Sequence, residues 1–261
     1  MQYQDVIPAI FIERPNRFIA HVETEEGLLT VHVKNTGRCR ELLTPGAKVY
    51  IARSRNPARR TAGDLVAVWK GDRLINMDSQ APNRVVAEAL QAGLLLPGMT
   101  APAILIRPET TWGDSRLDFY FRYPNSPTLP SPETPVLCRQ GGALLPPLQP
   151  GMREGFLEVK GVTLEEGGAV YFPDAPTQRG VRHVEELIKL KAAGYDAWLL
   201  FVIQMKGAAY FAPNDRTHPE FGEALRRAQE AGVRLCAYDC LVKPGALSLL
   251  SAVEIRLDED L

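Results

Sequence analysis

Over the first 76 residues apolar and polar side chains alternate with a period of two, the pattern of half-buried β-strands. The run "AIFIERPNRFIAHVETEEGLLTVHVKN" carries this alternation past turn formers at Pro15-Asn16 and Glu26-Gly27. "AKVYIAR" follows the turn Thr44-Pro45-Gly46, and "DLVAVWKGDRLINM" reads as a hairpin reversing at Gly71-Asp72. About five short strands in so little chain can bury their apolar faces only by closing on themselves, as in a small barrel of the OB type. An SH3-like barrel gives nearly the same pattern.

At "NMDSQAPNRVVAEALQAGLL" the period changes. Val85, Val86, Ala89 and Leu90 fall at helical spacing, and Gly93 is placed to end the helix. The change divides the chain into domains 1–80 and 81–261. The second domain is expected to run helix 83–96, strands 104–107, 116–123, 155–160 and 168–172, helix 179–193, strands 198–204 and 207–211, helix 218–231 and strand 233–238. "WLLFVI" is apolar without alternation, as in a central strand covered on both faces. The fold class is therefore an all-β barrel followed by an α/β domain, a mixed sheet flanked by helices. Residues 124–152, rich in Pro and Gly, read as an irregular surface loop.

An apolar fraction of 45% is that of a globular protein, and the longest strongly apolar run, "AWLLFVI", is too short to span a bilayer. No basic segment followed by a long apolar stretch opens the chain, so a cytoplasmic location is the expectation. Cys39, Cys138, Cys236 and Cys240 lack CxxC spacing and read as free thiols. The net charge is −1, but residues 1–76 hold 12 Lys/Arg against 8 Asp/Glu, leaving the excess acid in the second domain. A basic module joined to a carboxylate-bearing one fits nucleic-acid binding beside an acidic site.

Phosphate loops, dinucleotide-binding G-x-G-x-x-G, G-x-S-x-G elbows and H-E-x-x-H zinc motifs are absent. What remains is a set of charged residues inside strands. In "SRLDFYFRY", Leu117, Phe119 and Phe121 are expected on one face, with Asp118, Tyr120 and Arg122 on the other. In "GFLEVKGVTL", Glu158 and Lys160 share the face opposite Leu157 and Val159, about 7 Å apart along the strand. If the two strands are neighbours, Asp118 and Glu158 converge. Two such carboxylates repel unless one is protonated or a cation bridges them, and a hard divalent ion suits oxygen ligands best. A structural ion pair between Glu158 and Lys160 is the other reading. In "DAPTQRGVRHVEELIKL", Val184, Leu187, Ile188 and Lys191 line one side of a helix. Arg179 and His183, four apart on another side, stand where they can meet a phosphate; a surface or half-buried histidine is the plainer reading of His183. In the barrel, Lys34, Arg38 and Arg40 surround the turn Asn35-Thr36-Gly37, as phosphate contacts or as solvated charges.

The stretches "HVKNTGRCRELLTPG", "NRVVAEA", "SRLDF", "EVKGVTL", "FPDAPTQRGVRH" and "EEL" resemble, in order and over most of the chain, the sugar fermentation stimulation protein A (SfsA) family. The resemblance implies an OB-fold domain followed by a domain similar to the PD-(D/E)xK nucleases. It puts the nuclease-like motif on Asp118, Glu158 and Lys160, with Mg²⁺ or Mn²⁺ as the cofactor. Glu88 is a candidate third acid and the Val159 carbonyl a further ligand. Lys34, Arg38, Arg40, Arg116, Arg179 and His183 become candidate contacts to DNA or RNA. A non-catalytic DNA-binding regulator of sugar metabolism is the alternative function. The long segment between Asp118 and Glu158 departs from related nucleases, which join these strands more tightly.

Overall fold

A computed structural model of the chain describes residues 1–35, 37, 39–113, 115–126, 136–137 and 147–258. Six strands make up the first unit: β1 (Val6–Asn16), β2 (Ile19–Thr24), β3 (Gly27–Val33), β4 (Lys48–Arg53), β5 (Gly63–Lys70) and β6 (Arg73–Asn76). Their order is β3-β2-β1-β4-β5-β6, and a parallel β3–β5 pairing closes five of them into an OB barrel with β6 appended to β5. The alternation in the sequence becomes the barrel wall: Ala9, Phe11, Ala20, Val22, Val31, Val33, Val49 and Ile51 are all buried. The β5–β6 hairpin reverses at Gly71, whose φ of 62° is the left-handed conformation that such a turn favours in glycine.

The second unit opens with α1 (Ala81–Gln91), followed by β7 (Leu105–Trp112), β8 (Ser115–Pro124), β9 (Val136–Leu137), β10 (Met152–Val162), β11 (Leu164–Glu166) and β12 (Ala169–Phe172). Then come α2 (Gln178–Ala192), β13 (Asp196–Ile203), β14 (Phe211–Pro213), α3 (Pro219–Glu230), β15 (Arg234–Lys243) and β16 (Ala246–Ala252). A seven-stranded mixed sheet has the order β16-β15-β13-β10-β8-β7-β9, with β10, β13 and β15 mutually parallel. Every residue of β13 is buried. Its Leu199, Phe201 and Ile203 join the core under α2 and α3, while Trp198, Leu200 and Val202 join the core under α1. That is why this strand carries no polar alternation. No helix among the described residues is long and apolar enough to cross a membrane.

Four expectations change. The segment expected as a strand at 207–211 is irregular up to Tyr210, with Gly207 at φ 77°, and the strand lies at Phe211–Pro213. The strands β9, β11 and β16, missed in the pattern, pair onto β7, β12 and β15, so the expected irregular segment 124–152 carries one short strand. The first helix ends at Gln91 rather than near 96, with Gly93 at φ 90° after it. Leu117 packs with Tyr120 and Phe156 under α2, not with Phe119 and Phe121 under α1. The cause of this last change is local. The β8–β10 ladder stops at Phe119↔Leu157, and Glu109 of β7, facing Asp118, adopts φ 49°. Cys39, Cys236 and Cys240 are buried free thiols, each pushed up to about 12 mainly by burial; Cys138 and most of the Pro-rich segment lie outside the described residues.

Candidate active site at the divergence of two strands

Where β8 leaves β10, a side chain takes over from the backbone ladder. Asp118 Oδ2 accepts the Val159 N–H at 2.8 Å, and its Oδ1 accepts the Asn83 side-chain amide at 2.6 Å. Asn83 reaches it from the first turn of α1. Gly161 permits this approach, since a Cβ there would stand 2.8 Å from Pro82 Cγ and 2.5 Å from Gln204 Oε1. Glu158, 2% exposed, receives the Lys160 ammonium on Oε1 at 2.6 Å. His183 Nδ1 donates to the same oxygen, while its Nε2 accepts from Arg179 Nε at 3.3 Å.

The other carboxylate oxygen, Glu158 Oε2, is buried and has no hydrogen-bond partner. A buried acceptor in that state is costly unless a water, an ion or another ligand fills the gap. The two acids are electrostatically unlike. Burial opposes ionisation of Glu158, but Lys160 and His183 outweigh it and hold its carboxyl below the ordinary glutamate range. Burial, and then the charge on Glu158, push Asp118 up to about 6, despite the donors Val159 and Asn83. A cation entering beside Glu158 would relieve both.

Among the described residues, no three His, Cys, Asp or Glu side chains gather into a ready metal cage. The donors present are two carboxylates, one with a bare oxygen, beside a strand backbone. That set fits a hard ion that keeps several of its own waters, such as Mg²⁺ or Mn²⁺, and does not fit zinc.

The structure therefore brings Asp118, Glu158, Val159, Lys160 and His183 together, and Arg179 joins them through His183. Arg116 and Arg179, both exposed, line one cavity of about 610 Å³ with His183. Arg116 stands 3.5 Å from Glu109. His183 sits on the buried face of α2 with Val184, Leu187 and Leu190, not on a separate polar face. Glu88 is a correction. It points to the amino-terminus, pairing with the Met1 ammonium at 2.6 Å. Five residues of helix turn it about 140° away from Asn83, so only one of the two can face Asp118. Asn83 is thus the α1 residue that sequence reading missed, although it opens the same "NRVVAEA" stretch. Lys34 is also reassigned: it pairs with Asp64 at 3.0 Å and Asp78 at 3.8 Å, so its charge is spent at the junction of the two units. Arg40 is exposed on the barrel, and Arg38 lies outside the described residues.

An OB barrel followed by a mixed sheet with helices on both faces, and an acidic centre where two strands part, defines the class of protein. The particular family follows from comparison. Residues 12–77 match the SfsA N-terminal OB domain and residues 80–246 the sugar fermentation stimulation protein RE domain. The chain is 47% identical to a sugar fermentation stimulation protein homolog of Ruminiclostridium cellulolyticum, over 98% of this chain and 100% of the relative. It is 45% identical to the homolog of Clostridium beijerinckii, with the same coverage. The solved structure of Pyrococcus furiosus SfsA in complex with Ca²⁺ superposes with a TM-score of 0.74 over 98% of both chains, at 23% identity. The chain belongs to the sugar fermentation stimulation protein family.

Proposed function

We propose that the chain is a metal-dependent nuclease that hydrolyses phosphodiester bonds in nucleic acid. The observation that carries this reading is the bare, buried Glu158 Oε2 beside Asp118, with an ammonium on the opposite oxygen of the same carboxylate. The relative of the same fold that binds Ca²⁺, also an oxygen-seeking cation, supports it.

Asp118, Glu158 and the Val159 carbonyl would hold Mg²⁺ or Mn²⁺. When bound, such an ion polarises a phosphoryl oxygen and acidifies a water. Lys160, held at 2.6 Å from Glu158, orients the attacking water and offsets negative charge growing on the phosphate. His183 fixes the rotamer of Glu158 through Nδ1, leaving Oε2 turned away from the protein donors. Asn83 does the same for Asp118. Arg179 and Arg116 present cations in the cleft beside these groups, where a backbone phosphate would lie.

The test is incubation of the pure protein with labelled single- and double-stranded DNA and RNA, in Mg²⁺, Mn²⁺ or EDTA. Products are expected with metal only, and none from Asp118→Ala or Lys160→Ala. Binding with no metal-dependent products would instead support a DNA-binding regulator without catalysis.

A further inference from the structure

The barrel carries a groove that the strand-divergence site does not use. It measures about 680 Å³ and is lined by Ile12, Arg17, Arg40, Leu43 and Pro45 of the barrel and by Ala175. Ala175 lies two residues before Thr177, the residue that caps α2, so the groove leads toward the helix that carries Arg179 and His183.

Its chemistry is mixed in a specific way. Among the described residues seven large apolar side chains are left exposed; one of them, Ile12, lines the groove, and another, Phe18, adjoins it in the β1–β2 turn beside Arg17. Phe18 is 49% exposed, with the Arg17 guanidinium over its ring at 5.9 Å. Arg17 and Arg40 are exposed and form no ion pair among the described residues. Glu13, the acid lining the same groove, is engaged by His21 at 2.9 Å.

Phosphates alone require cations, not an exposed ring and an isoleucine. A duplex turns its sugar-phosphate backbone outward and keeps its base faces stacked inside. Apolar and aromatic surface rimmed by arginine is complementary instead to a strand whose bases are unstacked. We propose that this groove, together with the Phe18 ring that adjoins it beside Arg17, binds single-stranded nucleic acid, with a base on Phe18 and phosphates on Arg17 and Arg40. The inference rests on the nucleic-acid reading above and deepens it by naming the strandedness of the substrate.

The experiment is fluorescence anisotropy in EDTA, so that no cleavage intervenes, with the full chain and three probes. These are oligo-thymidine of about 20 nucleotides, oligo-uridine of the same length and a DNA duplex of the same length. Single strands are expected to bind more tightly than the duplex, and the two single-stranded arms separate DNA from RNA. Phe18→Ala should weaken single-strand binding roughly tenfold, and Phe18→Tyr should restore it. Arg40→Ala should lower the salt slope for single strands by about 0.7, the share of one phosphate contact. A duplex bound as tightly as the single strands, or binding indifferent to Phe18→Ala, overturns the groove assignment and leaves the cleavage test untouched. Phe18-dependent binding together with absent cleavage sustains the groove and overturns the nuclease.

Discussion

Two buried acids stand on the same central strands, a few residues apart in register, and they are treated in opposite ways. Asp196 begins β13 opposite Gly155 of β10, while Glu158 lies three residues further along β10, opposite Leu199. Asp196 receives Tyr123 and Arg153 on one oxygen, and Arg234 and Lys191 on the other, at 2.5 to 3.4 Å. Burial opposes its charge, yet these donors hold it at about 2. At the other end Glu158 keeps one oxygen bare, and Asp118 is pushed up to about 6. A fully satisfied carboxylate fastens strands to a helix; one left short of partners keeps an acceptor open. The difference teaches that burial of charge alone does not mark a functional site. What sets Glu158 apart from Asp196 is an acceptor without a donor, and the proposed metal site rests on it.

The contrast can be broken in four ways. The largest effect is on turnover: Asp118→Ala and Lys160→Ala should each slow metal-dependent cleavage by on the order of a thousandfold. Asp196→Asn, measured alongside in the same assay, should leave the rate per folded molecule unchanged. Equal losses at both ends would erase the distinction.

Next comes stability. Asp196→Asn should cost about 3 kcal/mol in denaturant unfolding, the low end for a broken buried pair because its cations are partly solvated. Because the folded carboxyl sits below its ordinary 3.8, its contribution is present above that value and disappears as the pH falls toward about 2.

Asp118 should show the reverse sign. Its folded carboxyl lies above the ordinary 3.8, so between about 4 and 6 the folded state holds a proton that the unfolded chain has released. Stability in EDTA should therefore fall by on the order of 2 kcal/mol as the pH rises through that window. Thermal melts at pH 4.5 and 7 will show it; Asp118→Asn should flatten the slope, and Mg²⁺ should oppose it at the higher pH. A slope unchanged in Asp118→Asn would mean that another group is responsible.

The smallest effect is expected at Asn83. Asn83→Ala removes one hydrogen bond to a charged group, worth about 1 to 2 kcal/mol, and should weaken Mg²⁺ binding in calorimetric titration while sparing the fold. Glu88→Ala, on the same helix, should leave Mg²⁺ binding as it was.

Much of this was legible in the chain. The period-two pattern before residue 77, the unbroken apolar run of β13 and the strand-borne Asp118, Glu158 and Lys160 follow from short-range rules, because a strand or helix sorts its own side chains by period. His183 was legible as a residue near Arg179 but not as a partner of Glu158, since that contact joins positions 25 apart in sequence. Lys34 looked like a free cation because nothing near it in sequence announces Asp64 and Asp78 as its partners.

Sequence by itself determined the two-part architecture through local pattern and, through its resemblance, the family; it also named Asp118, Glu158 and Lys160 as the candidate acids and base. Only the tertiary structure decided that Asn83 rather than Glu88 meets Asp118, because a helix must be docked before its facing side is known. It also decided that Glu158 keeps one oxygen without a donor. A missing partner is a property of everything packed around an atom, and no linear pattern records it.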